Sequence, residues 1–337
     1  MNKRQKLFVH IVTFNHERYI EHCLNAVLDQ ADAELHVRVT DNASSDSTAD
    51  VISTFKDKID FVKNATNLGF SGAHNQGVKN FLDSDCDVLL ILNPDVKLSS
   101  DAYINFIAAL ADAEDNVGLF TPKLLRSDED LNAVEPRTLD AAGMVLEKSL
   151  RHFDRGSDQL DNGQFDQSEY VFGGTGAALF ITKKCAKDLV TIDGKYEEKL
   201  YSIYPQLRDR KDLRAQLFDE AFFAYREDAE LCWRAARKGW RCLYLPKVVG
   251  YHRRVVLPTN RAELPDEYNL YSVRNRFLMQ FVNFSFLKNW KAIVPGLIFR
   301  NLLVVLGVLL LERSSLKGIA QAFSLLPRAL ERRRLTV

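Results

Sequence analysis

Cysteine is scarce in this sequence, and its placement argues against two common uses of the residue. The 337 residues include five cysteines, and none is spaced as Cys-x-x-Cys. An odd number of scattered cysteines indicates neither a disulfide framework nor a zinc site. We therefore expect the protein to work in a reducing cytosol. The cysteines are Cys23, Cys86, Cys185, Cys232 and Cys242.

The sequence also lacks net charge and long uninterrupted apolar runs. Its 45 Lys and Arg residues balance 45 Asp and Glu residues, so no global electrostatic attraction favours nucleic acid as a partner. The apolar run at residues 7–12 is too short for a signal peptide. Residues 293–311 are largely apolar, but Pro295, Arg300 and Asn301 interrupt them. The uninterrupted part, 302–311, is about half of the ~20 residues that a membrane span requires.

The sequence does contain a strongly apolar strand followed by an acid. Val88–Leu92 is a run of five apolar residues, which is typical of a strand buried on both faces of a parallel sheet. Pro94 ends the strand because proline lacks an N–H, and Asp95 follows. Ligands of open α/β sheets bind beyond the carboxyl ends of strands, where a carboxylate can share a divalent cation with a phosphate. The alternative is an ordinary turn aspartate.

Strands and helices alternate before and after this run, which predicts a parallel sheet with crossover helices. Asp41 and Asp95 then lie at the same carboxyl edge, and this supports a nucleotide site. Further strands are predicted at residues 7–15, 35–41, 59–63 and 117–124. Helices are predicted at residues 17–30, 47–56, 73–82 and 101–113.

Residues 126–217 carry weaker signals. Residues 126–168 are polar and irregular, and the glycines of Gly173-Gly-Thr-Gly176 lead into an apolar strand. Such glycines let a backbone approach a ligand closely, although a plain turn explains them equally well. Residues 193–217 are rich in charged side chains and are interpreted as a surface excursion.

A helix predicted at residues 227–238 begins with three acids, Glu227, Asp228 and Glu230. Acids are favoured at helix N-termini by the macrodipole, which is one explanation of the cluster. The alternative is that Asp228 points into the cleft as a general base. The strand predicted at residues 241–252 leaves His252 at its end, where a lone histidine is more commonly structural.

The last residues combine an apolar stripe with basic flanks. Lys317 and Arg328 flank the stripe and can extend their charges into water, while Pro327 is expected to kink or end a helix. This favours amphipathic helices on an anionic membrane surface. Packing on the catalytic domain or on a dimer partner are the alternatives. The stripe consists of Leu316, Ile319, Phe323, Leu326 and Leu330.

The ordered series of motifs resembles the inverting family 2 glycosyltransferases of the GT-A fold, in particular the bacterial rhamnosyltransferase-like enzymes. The resemblance implies an α/β fold with a Rossmann-like mixed sheet flanked by helices. It implies a catalytic domain at residues 1–255 and a C-terminal helical extension at 256–337. The matching segments are HIVTFN (10–15), VTDNASSD (39–46), NLGFSG (67–72), LNPDV (92–96), GQFD (163–166), FGGTGA (172–177), FFAYREDAEL (222–231) and His252.

The resemblance also implies roles for individual residues. Asp95 and His252 are expected to hold Mg²⁺ or Mn²⁺ against the donor diphosphate, and Asp228 to act as the base. Many relatives carry Asp-x-Asp where this chain has Asn93-Pro94-Asp95, so the metal site here carries less negative charge. The segment 193–217 is interpreted as an insertion. The residues expected to contact the nucleotide sugar are Thr13, Asn15, Asp41, Asn67, Gly69, Asn93 and Gly174.

The implied activity is transfer of a sugar, with inversion, from a nucleotide-diphosphate donor to a hydroxyl of a glycan or polyprenyl-linked acceptor. The first candidate donor is dTDP-rhamnose, and the implied process is bacterial cell-surface polysaccharide synthesis at the cytoplasmic face of the membrane. A homodimer through the C-terminal helices is a further expectation. One alternative is a sugar-1-phosphate nucleotidyltransferase, although residues 13–18 lack the glycine that its loop needs. The other alternative is a non-catalytic nucleotide-sugar-binding scaffold.

Overall fold

The structure is a computed structural model that describes residues 5–30, 33–192, 194–208, 215–254 and 265–336. The first part of the chain alternates strand and helix, as the sequence predicts. Its strands are β1 (Lys6–Thr13), β2 (Glu34–Asp41), β3 (Asp60–Lys63), β4 (Val88–Leu92), β5 (Val96–Leu98) and β6 (Val117–Arg126). Its helices are α1 (Ile20–Leu28), α2 (Thr48–Ser53), α3 (Gly69–Asp83) and α4 (Ala102–Ala111).

The middle of the chain is built mostly from short elements. Its strands are β7 (Leu139–Ala141), β8 (Met144–Leu146), β9 (His152–Asp154), β10 (Glu169–Val171), β11 (Ala178–Thr182), β12 (Thr191–Ile192), β13 (Ala215–Gln216) and β14 (Arg241–His252). Its helices are α5 (Lys183–Leu189), α6 (Glu197–Tyr201) and α7 (Glu227–Arg237).

The main sheet has ten strands, and its principal order is β10-β14-β6-β11-β4-β1-β2-β3. Strands β4, β1, β2 and β3 are parallel to one another, whereas β11 runs antiparallel between β4 and β6. The expected mixed sheet is therefore confirmed. Thr13 lies opposite Asp41 in the register, so β1 and β2 end together. The short strand β5 pairs with the end of β14.

Strand β4 shows why the sheet is stable. Its five side chains are at most 1% exposed. Leu89 and Ile91 pack in one apolar cluster, while Val88, Leu90 and Leu92 pack in another. The first cluster also contains residues of α3, α5 and α7, and the second contains residues of α1, α2 and α4. Because alternate side chains of a strand point to opposite faces, β4 is buried on both faces, as predicted.

The charged segment at residues 193–217 was predicted to be a surface excursion, but its apolar residues are anchored in the core. Leu200, Tyr204 and Leu207 are buried in the first apolar cluster. The Tyr204 ring stacks on that of Phe223, with centroids 4.6 Å apart. The prediction missed this because the segment was judged by its many charged residues, although its apolar residues lie among them. Residues 193 and 209–214 lie outside the described part.

The C-terminal helices begin after residues 255–264, so the predicted boundary between residues 255 and 256 falls outside the described residues. They are α8 (Asp266–Asn283), α9 (Asn301–Leu311), α10 (Leu316–Ser324) and α11 (Leu326–Leu335). A π-helical segment, Ile293–Arg300, precedes α9. Pro327 lies in the first turn of α11, where a proline is tolerated.

The apolar segment is longer as a helix than its uninterrupted apolar run indicated. Trp290–Leu311 forms one helix of 22 residues, which we call the apolar helix, and its length and composition would allow it to cross a membrane. Pro295 lies inside the π-helical segment, and wider helical turns of this kind accommodate a residue that lacks an N–H. Asn301 exchanges hydrogen bonds with Gln280 of α8, at 2.7 and 3.2 Å.

Arg328 does not extend into water as expected. It is 2% exposed and forms ion pairs with Glu197 at 2.9 Å and Asp219 at 2.6 Å. Arg332, one turn later, lies 3.2 Å from Asp219. Helix α11 is therefore held by buried charges against the middle part of the chain, which contains Glu197 and Asp219.

Candidate active site at the carboxyl edge of the sheet

Thr13 and Asp41 meet where β1 and β2 end. The Thr13 hydroxyl donates to Asp41 Oδ1 at 3.1 Å, and the Ser44 N–H donates to Asp41 Oδ2 at 3.2 Å. Asn15 has a left-handed φ of 59°, and its side-chain oxygen accepts from the Ser45 N–H at 2.8 Å. Asparagine tolerates this conformation better than most residues. The three predicted residues therefore lie in one hydrogen-bonded group at the edge of the sheet.

The loop before α3 depends on a glycine. Gly69 has a φ of 72°, and a Cβ there would lie 2.5 Å from the Phe223 carbonyl oxygen. The Asn67 side-chain oxygen accepts from the Gly69 N–H and from the Asn42 amide, both at 2.8 Å. Sequence analysis did not predict Asn42 as part of this site, although it lies next to Asp41. The loop is thus pressed against the segment that precedes α7.

Asp95 and His252 face each other across the pairing of β5 with β14. Val96 lies opposite His252 in the register, which places His252 Nε2 3.5 Å from Asp95 Oδ1. Asn93 holds the backbone just before Asp95 in place, because its N–H donates to the Ala177 carbonyl at 2.9 Å. Asp95 is 8% exposed, and within the described residues its buried Oδ1 accepts no hydrogen bond. The pairing predicted from the motifs is therefore present.

A buried acid, Asp140 of β7, lies behind His252. Its Oδ2 is 2.7 Å from His252 Nδ1. Burial favours the neutral imidazole, but Asp140 and Asp95 outweigh it and raise the pKa of His252 to about 10. Burial likewise opposes ionisation of Asp95, but His252 outweighs it and lowers the pKa of that carboxyl. The ring is thus oriented, with Nε2 directed toward Asp95.

The geometry of Asp95 and His252 fits a divalent cation shared with a ligand. The described residues contain no group of three or more His, Cys, Asp and Glu side chains that could enclose a metal ion. Two protein ligands suffice when phosphate oxygens and water complete the coordination. A carboxylate behind the ligating histidine, as Asp140 is here, is the usual support for such a ligand. Asp95 Oδ1 is buried, and at 3.5 Å His252 Nε2 is too far away for a good hydrogen bond, so a cation between them would satisfy both groups.

Asp228 lies in the first turn of α7, close to the glycine cluster. Its Oδ2 accepts from the Gly176 N–H at 2.9 Å, and its Oδ1 from the Ala229 N–H at 2.7 Å. Burial raises the pKa of Asp228, and Asp154 adds to this, while Arg254 acts in the opposite direction. A carboxylate with a raised pKa accepts a proton more readily, as a general base requires.

The other two acids of α7 differ from Asp228 in their surroundings. Glu230 is fully buried and forms a two-pronged pair with Arg234, at 3.0 and 2.9 Å, so its role is structural. Burial, followed by repulsion from Asp228, holds the pKa of Glu227 well above its ordinary value. Of the three acids, Asp228 has the partners expected of a base.

The backbone before α7 is strained. Phe223, Tyr225 and Arg226 have φ values of 62°, 70° and 72°. Left-handed backbone costs about 1–3 kcal/mol for each residue other than glycine, so the surrounding structure must hold this segment in place. Such strain concentrates at functional sites.

Gly174 is required by packing. A Cβ there would lie 2.5 Å from Thr121 Cβ, and one on Gly173 would lie 2.5 Å from Cys232 Cβ. The glycine cluster thus passes closely between β6 and α7. This close approach brings the Gly176 N–H to Asp228.

A charged network that the sequence did not predict connects these groups. Arg254 lies 3.3 Å from Asp140 Oδ1 and also pairs with Asp154. Arg126 lies 2.8 Å from the same Asp140 oxygen. Asp140 and Asp154 belong to strands of three residues, which are too short to show a period. The one available signal is the pair of arginines that follows His252.

The fold and the edge site together define a GT-A glycosyltransferase architecture. Residues 1–349 of TarS from S. aureus have a TM-score of 0.56 to this chain at 15% identity, covering 98% of this chain and 88% of that one. GalNAc-T7, solved with UDP, GalNAc and Mn²⁺, has a TM-score of 0.56 at 12% identity, covering 84% and 48%. At these identities the likeness establishes the fold.

The sequence comparisons identify the domain more closely. Residues 8–175 match the family described as Glycosyl transferase family 2, so the chain carries a domain of this family. A curated relative is the low-salt glycan biosynthesis hexosyltransferase Agl10 of Haloferax volcanii. It is 24% identical over 249 residues, which are 73% of this chain and 67% of that protein.

Proposed function

We propose that this protein transfers a sugar, with inversion, from a nucleotide-diphosphate donor to a hydroxyl of a glycan or lipid-linked acceptor. The observation that carries the proposal is that two acidic sites are connected by one charged network. Asp95 and His252 form a site for a cation and diphosphate. The half-buried Asp228, linked to them through Arg254 and Asp140, forms a site for a base. The Agl10 relative and the TarS complex with UDP-GlcNAc support a nucleotide-sugar donor.

Each group has a task in such a reaction. Thr13 and Asp41 would contact the base and ribose of the donor. Asp95 and His252 would hold Mg²⁺ or Mn²⁺, which stabilises the negative charge that develops on the departing nucleoside diphosphate. Asp228 accepts the proton of the acceptor hydroxyl as the hydroxyl oxygen attacks the anomeric carbon. One base and one displacement invert that carbon, and no covalent nucleophile is needed.

A screen of donors, followed by one isosteric variant, tests this activity. Release of nucleoside diphosphate is measured with dTDP-rhamnose, UDP-sugars and GDP-sugars in the presence of Mg²⁺ or Mn²⁺. Asp228→Asn should keep donor affinity while turnover falls by ~10²-fold or more, the usual contribution of a general base. The matched control is Asp188→Asn, because Asp188 contacts Lys238 and Trp240 at the other end of α7.

Two outcomes would count against this proposal. If no nucleotide sugar is consumed, the transferase function is wrong. If Asp228→Asn turns over at nearly the wild-type rate, the base lies elsewhere, and Glu227 is the next candidate.

We further propose that the apolar helix lies on the cytosolic face of a membrane. Apart from Trp290 at its start, nine of its large apolar side chains are at least 42% exposed. Exposed cations lie at both ends, namely Lys288 just before the helix, Lys291 in its first turn, and Arg313 and Lys317 after it. Bare apolar surface costs roughly 25 cal/mol per Å² in water, and each cation near anionic lipid contributes about 1 kcal/mol. The nine residues are Val294, Ile298, Phe299, Leu302, Leu303, Leu306, Leu309, Leu310 and Leu311.

The packing of the opposite face favours a helix lying in the membrane plane over one that crosses it. Gly296 is pressed against Leu150, since a Cβ there would lie 2.6 Å from the leucine. Asn301 is bonded to α8, and Val308 packs with Val273 of α8. A helix held along its length by the protein exposes one apolar side, as interfacial helices do.

Vesicle binding tests this placement. The full-length protein should pellet with anionic vesicles and be released only in part by high salt, because apolar insertion remains. Ile298→Glu/Leu302→Glu/Leu310→Glu should abolish pelleting. The matched control is Ile104→Glu/Leu160→Glu/Ile192→Glu, which alters three comparably exposed side chains elsewhere. If the wild type ignores vesicles and instead forms a dimer that the first triple variant dissociates, this face is a dimer interface.

A further inference from the structure

Asn275 of α8 gathers three backbone carbonyls onto one side-chain amide. Its Nδ2 donates to the carbonyl oxygens of Phe222 at 2.8 Å, Ala224 at 2.8 Å and Tyr225 at 2.7 Å. Its Oδ1 accepts from Arg274 Nε at 2.9 Å, which fixes the orientation of the amide. Asn275 is fully buried. A buried amide with this many protein partners holds those partners in a single arrangement.

The three carbonyls belong to the strained segment that precedes α7. Phe223, Tyr225 and Arg226 have left-handed backbone, and Asp228 follows in the first helical turn. The same segment contacts the first turn of α3, because the Phe223 carbonyl accepts from the Ser71 N–H at 3.2 Å. Asn275 therefore bonds to the short segment that lies between the start of α3 and Asp228.

We propose that Asn275 is a positioning residue that keeps Asp228 in place for proton transfer, without itself contacting the substrate. The inference rests on the proposed function, in which Asp228 is the base. Alanine at this position would remove the shared donor of the Ala224 and Tyr225 carbonyls, while the Phe222 carbonyl would keep Arg274 Nη2 at 2.7 Å, so the strained segment would relax toward ordinary backbone. Aspartate would place carboxylate oxygens against carbonyl oxygens and repel them. Either change shifts the start of α7, and a displacement of about 1 Å at a reacting group can cost ~10²-fold in rate.

The surroundings of Asp228 provide a direct readout of its position. The charged and titratable groups that act on it are Asp154 and Arg254, with Glu227 and the Cys232 thiol also close by. Burial keeps its pKa above the ordinary value. If the turn relaxes and Asp228 moves toward water, its pKa falls to the range of an exposed aspartate.

The test compares Asn275→Ala and Asn275→Asp with the control Asn283→Ala. Asn283 is also a fully buried amide of α8 that contacts α7, through Glu230 Oε1 at 3.3 Å, but it does not contact the strained segment. The pKa of Asp228 is measured by ¹³C NMR of labelled carboxyl groups and assigned with Asp228→Asn. It should fall in both Asn275 variants and stay unchanged in the control. Turnover should fall about tenfold or more with little change in donor KM, and the acid limb of the pH–rate profile should move to lower pH.

The outcomes separate this inference from the proposed function. An unchanged Asp228 pKa together with turnover equal to that of Asn283→Ala overturns the positioning role. Inactivity of the wild type overturns the proposed function, while the NMR measurement still decides whether Asn275 positions Asp228. If Asn275→Ala does not fold, Asn275→Ser, which keeps one donor, serves in the same comparison and should give an intermediate shift.

Discussion

Replacing Arg328 by methionine tests how strongly its buried ion pairs stabilise the packing of α11 against the rest of the protein. The guanidinium is 2% exposed and bonds to Glu197 at 2.9 Å and Asp219 at 2.6 Å. Both acids are also buried, and the pKa of Asp219 is lowered to about 2, because the arginines outweigh the effect of burial. Removing one partner of a buried ion pair costs about 3–5 kcal/mol, since the remaining charge stays buried and poorly compensated.

We therefore expect Arg328→Met to lower the free energy of unfolding by about 3–5 kcal/mol. Arg332, 3.2 Å from Asp219, stays in place and keeps the loss toward the lower end of this range. Urea unfolding followed by circular dichroism measures the effect. Asp219 keeps Arg332, whereas Glu197 loses its ion pair with Arg328, so Arg328→Met/Glu197→Gln removes the unpaired carboxylate and should recover part of the loss.

The control is Arg334→Met, an exposed cation on the same helix. It should change the free energy of unfolding by no more than about 0.5 kcal/mol, as surface substitutions usually do. A loss below about 1 kcal/mol for Arg328→Met, or no recovery in the double variant, would refute the reasoning. In that case α11 would be only loosely attached in solution.

Two further predictions concern the cation site. Asp95→Ala should abolish transfer and metal-dependent nucleotide binding while leaving the far-UV circular dichroism spectrum unchanged. Full activity of this variant, or of the wild type in excess EDTA, would contradict the assignment. The raised pKa of His252, about 10 against an ordinary 6.5, means that its stabilising charge is complete below pH 6.5 and is lost as pH rises through about 10. Metal-free protein should therefore lose unfolding free energy across this window, whereas His252→Gln should lack this component. Cation affinity should rise over the same window, because binding displaces the proton.

The strand order near the site was predictable only where local patterns are strong. An uninterrupted apolar run indicated β4 correctly, because burial on both faces removes alternation. The carboxyl-edge positions of Asp41 and Asp95 followed from alternating strands and helices. The antiparallel direction of β11 was not predictable, because direction depends on partners far away in the chain.

The rest of the site was hidden for physical reasons. Asp140 reaches His252 from a position 112 residues away, on a strand with no period of its own. Arg328 was expected to be solvated because it flanks an apolar stripe. Its buried partner Asp219 lies 109 residues away in the sequence, so no local pattern could reveal the ion pair. Pro295, Arg300 and Asn301 made the apolar run look too short for a membrane span, but the helix continues through them, with Pro295 inside π-helical turns.

Helix α8 contacts both the segment that precedes the proposed base and the apolar helix. Asn275 bonds to the segment before the proposed base, and the next residue, Arg276, bonds to Asn301 of the apolar helix at 2.9 Å. The proposed active site and the proposed membrane anchor are therefore both attached to α8, with no flexible linker between them. On a membrane, α8 would hold the active site at a constant height above the lipid surface. Acceptor hydroxyls at that height would be reached at each encounter, whereas those further out on a growing glycan would not.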